Sequence, residues 1–547
     1  MLKKYIVFLL ACSLTFTSWT TSNADKQSAG KLFIDPQLVL LSELVWNNIA
    51  VKNNQIWSGW DASSTPILFY IPNEQDVLIN HPAPPPGFIP YTGPVKVNGF
   101  NIWVKSGETL IPYDGQNTTM EIAEVQSLVV ADSLSNRKNS IAGMLYDPRS
   151  PMDKLQTMTY SDLISSPYQT MAMIAHEAFH AYQMNIAPEK SANEQALKDY
   201  PVLSIINNTG FALEGIALNH ALTSNNSVDV RKHLIDFLAI RLHRRNSLSE
   251  NSIAYEDAIE FSEGLAKYIE YRMSQVIEGQ DSNPYLDYQQ GFYGLADLSS
   301  FRGELLDMML KHMKGEVNVN NAPYGAAPLR MRLYFSGMGI AAVLDKLGID
   351  DWQNTIITSD VSLTQILKDF MDMPDETYEK AYSELTNTPD FKKFHQLKAK
   401  LNEQGILAAQ DKLNSLIESE FTGVVIDFSE IEALDMAMGY SPFGVTRLND
   451  SQIIYEQVPI AARIRKGSIF QQTVASPVLE DLSEKVYRFN LTKRLSTEDI
   501  ASSIKENFNW EKPVILNQFD LPGVSMNLGK VSLSFTNNTL HIKLLND

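Results

Sequence analysis

The sequence predicts an α+β protein with an N-terminal mixed sheet, a large helical part and a C-terminal β-rich part. Three stretches of pattern predict it. Between Lys31 and about Pro151, apolar runs such as Pro66-Ile67-Leu68-Phe69-Tyr70-Ile71 and Ser127-Leu128-Val129-Val130-Ala131 read as strands. They are broken by Pro- and Gly-rich loops, the stiffest being Pro82-Ala83-Pro84-Pro85-Pro86-Gly87. From about Asp162 to Ser415 the apolar residues recur at three- and four-residue steps, as in Leu234, Phe237, Leu238, Leu242 and in Ile340, Val343, Leu344, Leu347. Beyond Phe421 strands return at Val424-Val425-Ile426, Ile453-Ile454-Tyr455, Lys485-Val486-Tyr487-Arg488-Phe489, Val514-Ile515-Leu516 and Leu540-His541-Ile542-Lys543-Leu544, which together suggest a small antiparallel domain. The expected divisions are 25–161, 162–415 and 421–547.

Residues 1–24 read as an export signal. Lys3 and Lys4 precede an apolar run from Tyr5 to about Trp19, and Ser22-Asn23-Ala24 supplies small residues for cleavage before Asp25. The run is interrupted by Ser and Thr and is short for a bilayer, so no stable membrane span is expected. Cys12 is the single cysteine. Leu9-Leu10-Ala11-Cys12 loosely matches a lipoprotein box, so an anchor at Cys12 is the alternative to release into the periplasm or medium. After cleavage at Ala24 no thiol remains for a disulfide or a nucleophile. The 547 residues carry a formal charge of −19, an acidic balance that argues against nucleic acid or anionic lipid as partner.

The chemistry is concentrated at His176-Glu177-Ala178-Phe179-His180, set in the helical run from Thr170 to Gln183. Four-residue spacing puts both imidazoles on one helical face, where two nitrogens can meet one Zn²⁺. Glu177 then faces the open side of the metal, placed to take a proton from its water. A catalytic zinc needs a third protein ligand. The same helix cannot supply a histidine, because Gln183 and Ile186 stand where a Gly-x-x-His continuation would fall. The other seven histidines are scattered, so a carboxylate is expected. Glu214 in Leu213-Glu214-Gly215-Ile216-Ala217 and Glu263 in Ser262-Glu263-Gly264-Leu265-Ala266 are the two candidates.

At Glu263 the sequence resembles the gluzincin peptidases, the group of thermolysin and aminopeptidase N. Their third-ligand helix often reads Asn-Glu-Gly-Phe-Ala-x-Tyr-x-Glu. Glu263, Gly264, Ala266, Tyr268 and Glu270 match it, with Ser262 in the Asn position. The resemblance favours Glu263 over Glu214 as ligand and implies a zincin-like core. It also implies a role for Tyr334 in Tyr334-Phe335-Ser336-Gly337, which is similar to the group's Tyr-x-x-Gly helix: the phenol would support the oxyanion. Tyr324 and Arg332 are nearby substitutes. The likeness covers short islands between His176 and Leu347. The Gly-x-Met-Glu-Asn signature of aminopeptidase N is missing, Met120-Glu121 being the nearest fragment. The gap from His180 to Glu263 exceeds that in aminopeptidase N, so the intervening chain should form helices of its own, including Val230 to Arg245.

The expected activity is zinc-dependent hydrolysis of a peptide or protein substrate. The alternative is an exported binding or envelope-assembly protein with a structural or vestigial zinc site. Further expectations attach to named elements. Glu256, Glu260, Glu263 and Glu270 fall near one helical stripe, either as a solvated acidic face or with Glu260 orienting a liganding imidazole. Gly264 and Ala266 should let their helix approach the His176–His180 helix closely. The Ser127–Ala131 strand should lie over the cleft and pair with extended substrate.

Overall fold

The structure is a computed structural model. It describes residues 32, 34–132, 166–318, 324–430, 435–436, 444–455, 458–464, 468–474, 477–504, 512–521, 524–527 and 530–545. The expected leader 1–24, with Cys12, lies outside them. The architecture is mixed α+β.

The N-terminal part, expected to be strand-rich, opens with a helix. Asp35 caps it by accepting from the backbone N–H of Gln37 and Leu38, Pro36 occupies the first turn, and α1 runs Pro36–Ile49. Six strands follow: β1 Ile67–Ile71, β2 Gln75–Ile79, β3 Ile89–Pro90, β4 Ile102–Ser106, β5 Thr118–Ile122 and β6 Val125–Ala131. They form one mixed sheet in the order β3-β4-β2-β1-β6-β5, with β1 and β6 parallel and the other pairs antiparallel. The two-residue period assigns the faces. Ile67, Phe69, Val77, Leu128 and Val130 join the main core under the helices, whereas Leu68, Tyr70, Leu78 and Val129 build a separate cluster on the other side.

This order corrects the expectation for Ser127–Ala131. The segment is a strand, but β1 and β5 pair with its two edges, so it cannot accept another chain. Its residues are buried on both faces, as a central strand requires. Among the described residues the unpaired edge on that side belongs to β5.

The helical part comprises α2 Pro167–Ile186, α3 Ile205–Thr223, α4 Ser227–Arg245 and α5 Glu250–Ile259. A π-helical turn at Glu260–Gly264 continues α5 into α6 Leu265–Val276. α7 Ser299–Met313, α8 Ala326–Lys346, α9 Trp352–Thr358, α10 Leu363–Met371, α11 Asp375–Thr386 and α12 Pro389–Ile417 complete it. α3, α4 and α5 are helices that fill the long gap before Glu263. Among the described residues no helix is long and apolar enough to cross a membrane.

The C-terminal part holds an eight-stranded and a five-stranded sheet. It is not wholly antiparallel: Thr539–Leu544 runs parallel to Gly423–Asp427, so the last strand of the chain lies beside the first of this part. Arg447 ties it to the helical part, donating to Lys198 O at 3.0 Å and Asp199 Oδ1 at 2.6 Å.

Candidate metal centre

Helix α2 carries the His-Glu-x-x-His segment on its buried side. Pro167 starts it, and the apolar residues Met171, Ile174, Ala175, Ala178 and Phe179 fasten it to the core. Phe179 is wedged between Trp57 and Trp60, with ring centroids 4.9 and 5.2 Å away. From the sheet side, Thr119 of β5 donates to the carbonyl of Glu177 at 2.5 Å. The helix is thereby fixed both in rotation and in height relative to the strand beside it.

The second element is the continuous α5–π–α6 helix. Glu263 lies in its π turn, and Glu270 follows seven residues later, close to two α turns, so both carboxylates face α2. Glu263 Oε2 lies 3.6 Å from His176 Nε2 and 3.3 Å from His180 Nε2, and the two Nε2 atoms are 3.1 Å apart. A tetrahedral ion bound at about 2.0–2.1 Å holds its ligand atoms about 3.3 Å apart. The three donors match that spacing, and the group can hold a metal ion.

The hydrogen bonds behind the rings aim the donors. Glu270 Oε1 accepts from His176 Nδ1 at 2.8 Å, and Lys267 Nζ holds the same carboxylate at 2.8 Å. Gln183 donates its Nε2 to the Phe261 carbonyl at 2.7 Å, which turns its Oε1 toward His180 Nδ1 at 3.0 Å. With both Nδ1 atoms donating, both Nε2 lone pairs point into one space beside a carboxylate. Such a space calls for positive charge. Without a cation, a proton supplies it: burial pulls His176 down, but hydrogen bonds to Glu263 and Glu270 outweigh that and carry it up to about 10. Glu263 shows the counterpart. Burial raises it, yet His180 and His176 hold its carboxyl well below the usual range.

Glu177 stands next to the centre without being one of its three donors. Burial raises its pKa, opposed by His180 and His176 and reinforced by Glu263 and Glu270. The third element, α8, brings Arg330 and Tyr334, one turn apart. Arg330 Nη2 donates to Glu263 Oε1 at 3.0 Å, and its Nε lies 3.4 Å from the Tyr334 hydroxyl. The Tyr334 phenol is raised well above its ordinary value, by burial first and then by the Glu263 carboxylate beside it. It therefore stays protonated and can donate.

Other expected residues lie elsewhere. Glu214 is fully buried against Arg241 Nη2 at 2.7 Å and Arg244 Nε at 2.6 Å, away from the imidazoles. Glu256 and Glu260 are neither a solvated face nor imidazole partners. Glu256 binds Arg244 and Arg245, and Glu260 binds Arg241 and accepts from Ser336. Three arginines of α4 bury these carboxylates as pairs, which is the condition for charges to be inside at all. The residue that orients His176 is instead Glu270. Arg332 donates to Asn208 Oδ1 at 2.6 Å and stacks on Tyr324, so neither substitutes for Tyr334 at the centre. Gly264 packs against Gly337 of α8, not against α2.

Sequence reasoning did not identify Arg330, Gln183 or Thr119 as parts of the site. Gln183 was detectable, since it sits three residues after His180 on the same face. Arg330 and Thr119 had no local signal. Comparison with protein-family models, with curated proteins and with solved structures returns no match.

Proposed function

We propose that this protein is an exported zinc metallopeptidase of gluzincin type, with a zincin-like core formed by the N-terminal sheet and the helical part. The observation that carries the reading is the tetrahedral spacing of His176, His180 and Glu263 with Glu177 in the adjoining position. Two imidazoles and a carboxylate suit zinc, and three protein donors leave a coordination position for substrate chemistry. A zinc held there would supply a Lewis acid and acidify a water.

The chain's own residues do the rest. Glu177 takes the proton from the attacking water and passes it to the amine that leaves when the peptide C–N bond breaks. Its raised pKa suits a base that must also return the proton. Tyr334 donates a hydrogen bond to the oxygen that gains negative charge, which a phenol held in its protonated form can do. Arg330 occupies Glu263 Oε1 and so leaves Oε2 for the metal. The edge of β5 runs beside α2 and is suited to pair with extended substrate backbone.

The test is a digest of a defined peptide library by the protein with one equivalent of zinc, read by mass spectrometry. Cleavage that stops with chelator and returns with zinc is expected. Tight zinc binding without cleavage of any member would replace this reading by that of a structural or vestigial site.

A further inference from the structure

Arg330 holds two carboxylates at once. One is Glu263, through Nη2 at 3.0 Å, and the other is Glu194, through Nη1. Glu194 uses both of its oxygens: Oε1 meets Arg330, and Oε2 accepts from the Tyr255 hydroxyl at 3.1 Å. A guanidinium edge and a phenol thus form a two-point cradle for one carboxylate, a single guanidinium's width from the metal ligand Glu263.

The cradle and its occupant differ in burial. The Arg330 side chain is 9% exposed and Tyr255 is 2% exposed, whereas the Glu194 side chain is 34% exposed. The fixed, desolvated partners belong to the core helices α5 and α8. Glu194 sits on a short 3-10 turn, Glu194–Lys198, in the irregular connection between α2 and α3. The occupant is therefore the member open to solvent and the one carried by a connecting segment.

We propose that Arg330 and Tyr255 form a subsite for the C-terminal carboxylate of a peptide, with Glu194 as its resident stand-in. The inference rests on the peptidase reading above and assigns it a substrate class, peptides with a free C-terminus. An incoming terminal carboxylate displaces Glu194 into water and takes over the bonds to Arg330 Nη1 and Tyr255 Oη. Every buried charge stays paired before and after the exchange. The cradle is within reach of the last one or two residues of an extended chain, about 3.3–3.6 Å each, so cleavage would release one or two residues. A terminal amide carries no charge to offset the loss of Glu194 and is discriminated against.

Two experiments test this on the full chain. The first compares zinc-dependent cleavage of a peptide as its free acid and as its C-terminal amide. The acid should be favoured about tenfold or more in kcat/KM. Tyr255→Phe should narrow that ratio several-fold, and Glu194→Gln should lower KM for the acid alone, because the competing charge is gone. Equal cleavage of acid and amide, or loss of both substrates in Glu194→Gln, overturns the subsite. The second titrates N-acetylglycine and its amide calorimetrically. The acid should bind, several-fold more tightly to Glu194→Gln, and the amide should not. Absence of acid binding also overturns the subsite. If neither peptide is cleaved but N-acetylglycine binds and responds to Tyr255→Phe, the peptidase reading fails and the carboxylate subsite stands.

Discussion

Gly264 of the π turn and Gly337 of α8 pack backbone against backbone. A methyl group added to Gly264 would lie 2.7 Å from Gly337 Cα, and one added to Gly337 would lie 2.7 Å from both Gly264 Cα and the Glu260 carbonyl. The contact fixes the distance between the helix that bears Glu263 and the helix that bears Arg330 and Tyr334. Gly337→Ala should force the two apart at a cost of about 1–3 kcal/mol and weaken zinc binding by displacing Glu263. Gly303→Ala is the control. Gly303 lies inside α7 with nothing among the described residues within 4 Å of an added methyl, so the change should stabilise by about 0.5–1 kcal/mol. Denaturant unfolding and zinc titration of both variants check the contrast; unchanged zinc affinity in Gly337→Ala would deny the contact its role.

How much of this was legible depended on sequence distance. His176 and His180 share a helix, so their spacing alone predicts a common face. Glu263 and Glu270 share another, and their pattern carries the resemblance that singled out Glu263. The pairing of Glu214 with Arg241 and Arg244 is different. It depends on α3 packing against α4, and an isolated helix with Glu256 and Glu260 at these steps looks the same whether water or arginine faces it. The same holds for Arg330, which lies 67 residues beyond the glutamate it binds. The strand Ser127–Ala131 was legible as a strand, but the expectation that it would lie over the cleft and pair with substrate failed, because both of its edges are taken by β1 and β5. Its neighbours in the sheet were not encoded locally.

Glu177→Gln separates base from ligand. The amide is nearly isosteric and cannot take a proton, so turnover should fall by about 10²–10⁴ while zinc stays near one equivalent. Metal analysis beside initial rates checks this. A variant that loses its zinc would place Glu177 among the ligands.

Glu270 accepts from His176 Nδ1 and so sets the direction of the Nε2 lone pair. Glu270→Ala removes the acceptor that keeps the proton on Nδ1, and zinc affinity should fall about 10–100-fold. Glu270→Gln keeps a carbonyl acceptor there and should lose less. Competition against a chromogenic chelator would measure both.

The two glutamates considered as third ligand should fail in different ways. Glu263→Ala removes a donor, so zinc affinity should drop at least tenfold. Glu214→Ala leaves Arg241 and Arg244 buried beside an absent partner, at a cost of about 3–5 kcal/mol, with zinc still bound by the folded fraction. Zinc titration and denaturant unfolding of the pair tell them apart. The assignment of Glu263 is lost if Glu214→Ala alone strips the metal.

Asp76 gives the fold a pH dependence independent of the metal centre. It lies on β2, fully buried and opposite Tyr70. Its Oδ2 accepts from the Leu110 N–H at 2.9 Å, while Oδ1 has no hydrogen-bond partner among the described residues. Burial raises its pKa from 3.8 to about 6, despite the Leu110 hydrogen bond and the Lys105 charge. Because the folded value exceeds the unfolded one, the folded state binds the proton more tightly. The resulting stabilisation is complete below about 4 and is lost as pH rises to about 6. Two pKa units correspond to about 3 kcal/mol. Asp76→Asn keeps an acceptor for Leu110 and removes the titration. It also buries an amide group, a cost that does not vary with pH. The stability of the variant relative to the parent should therefore climb by up to about 3 kcal/mol between pH 4 and 6.5 and then level off. Unfolding curves across that range read the difference directly, and a flat difference would mean that Asp76 remains ionised in the folded protein.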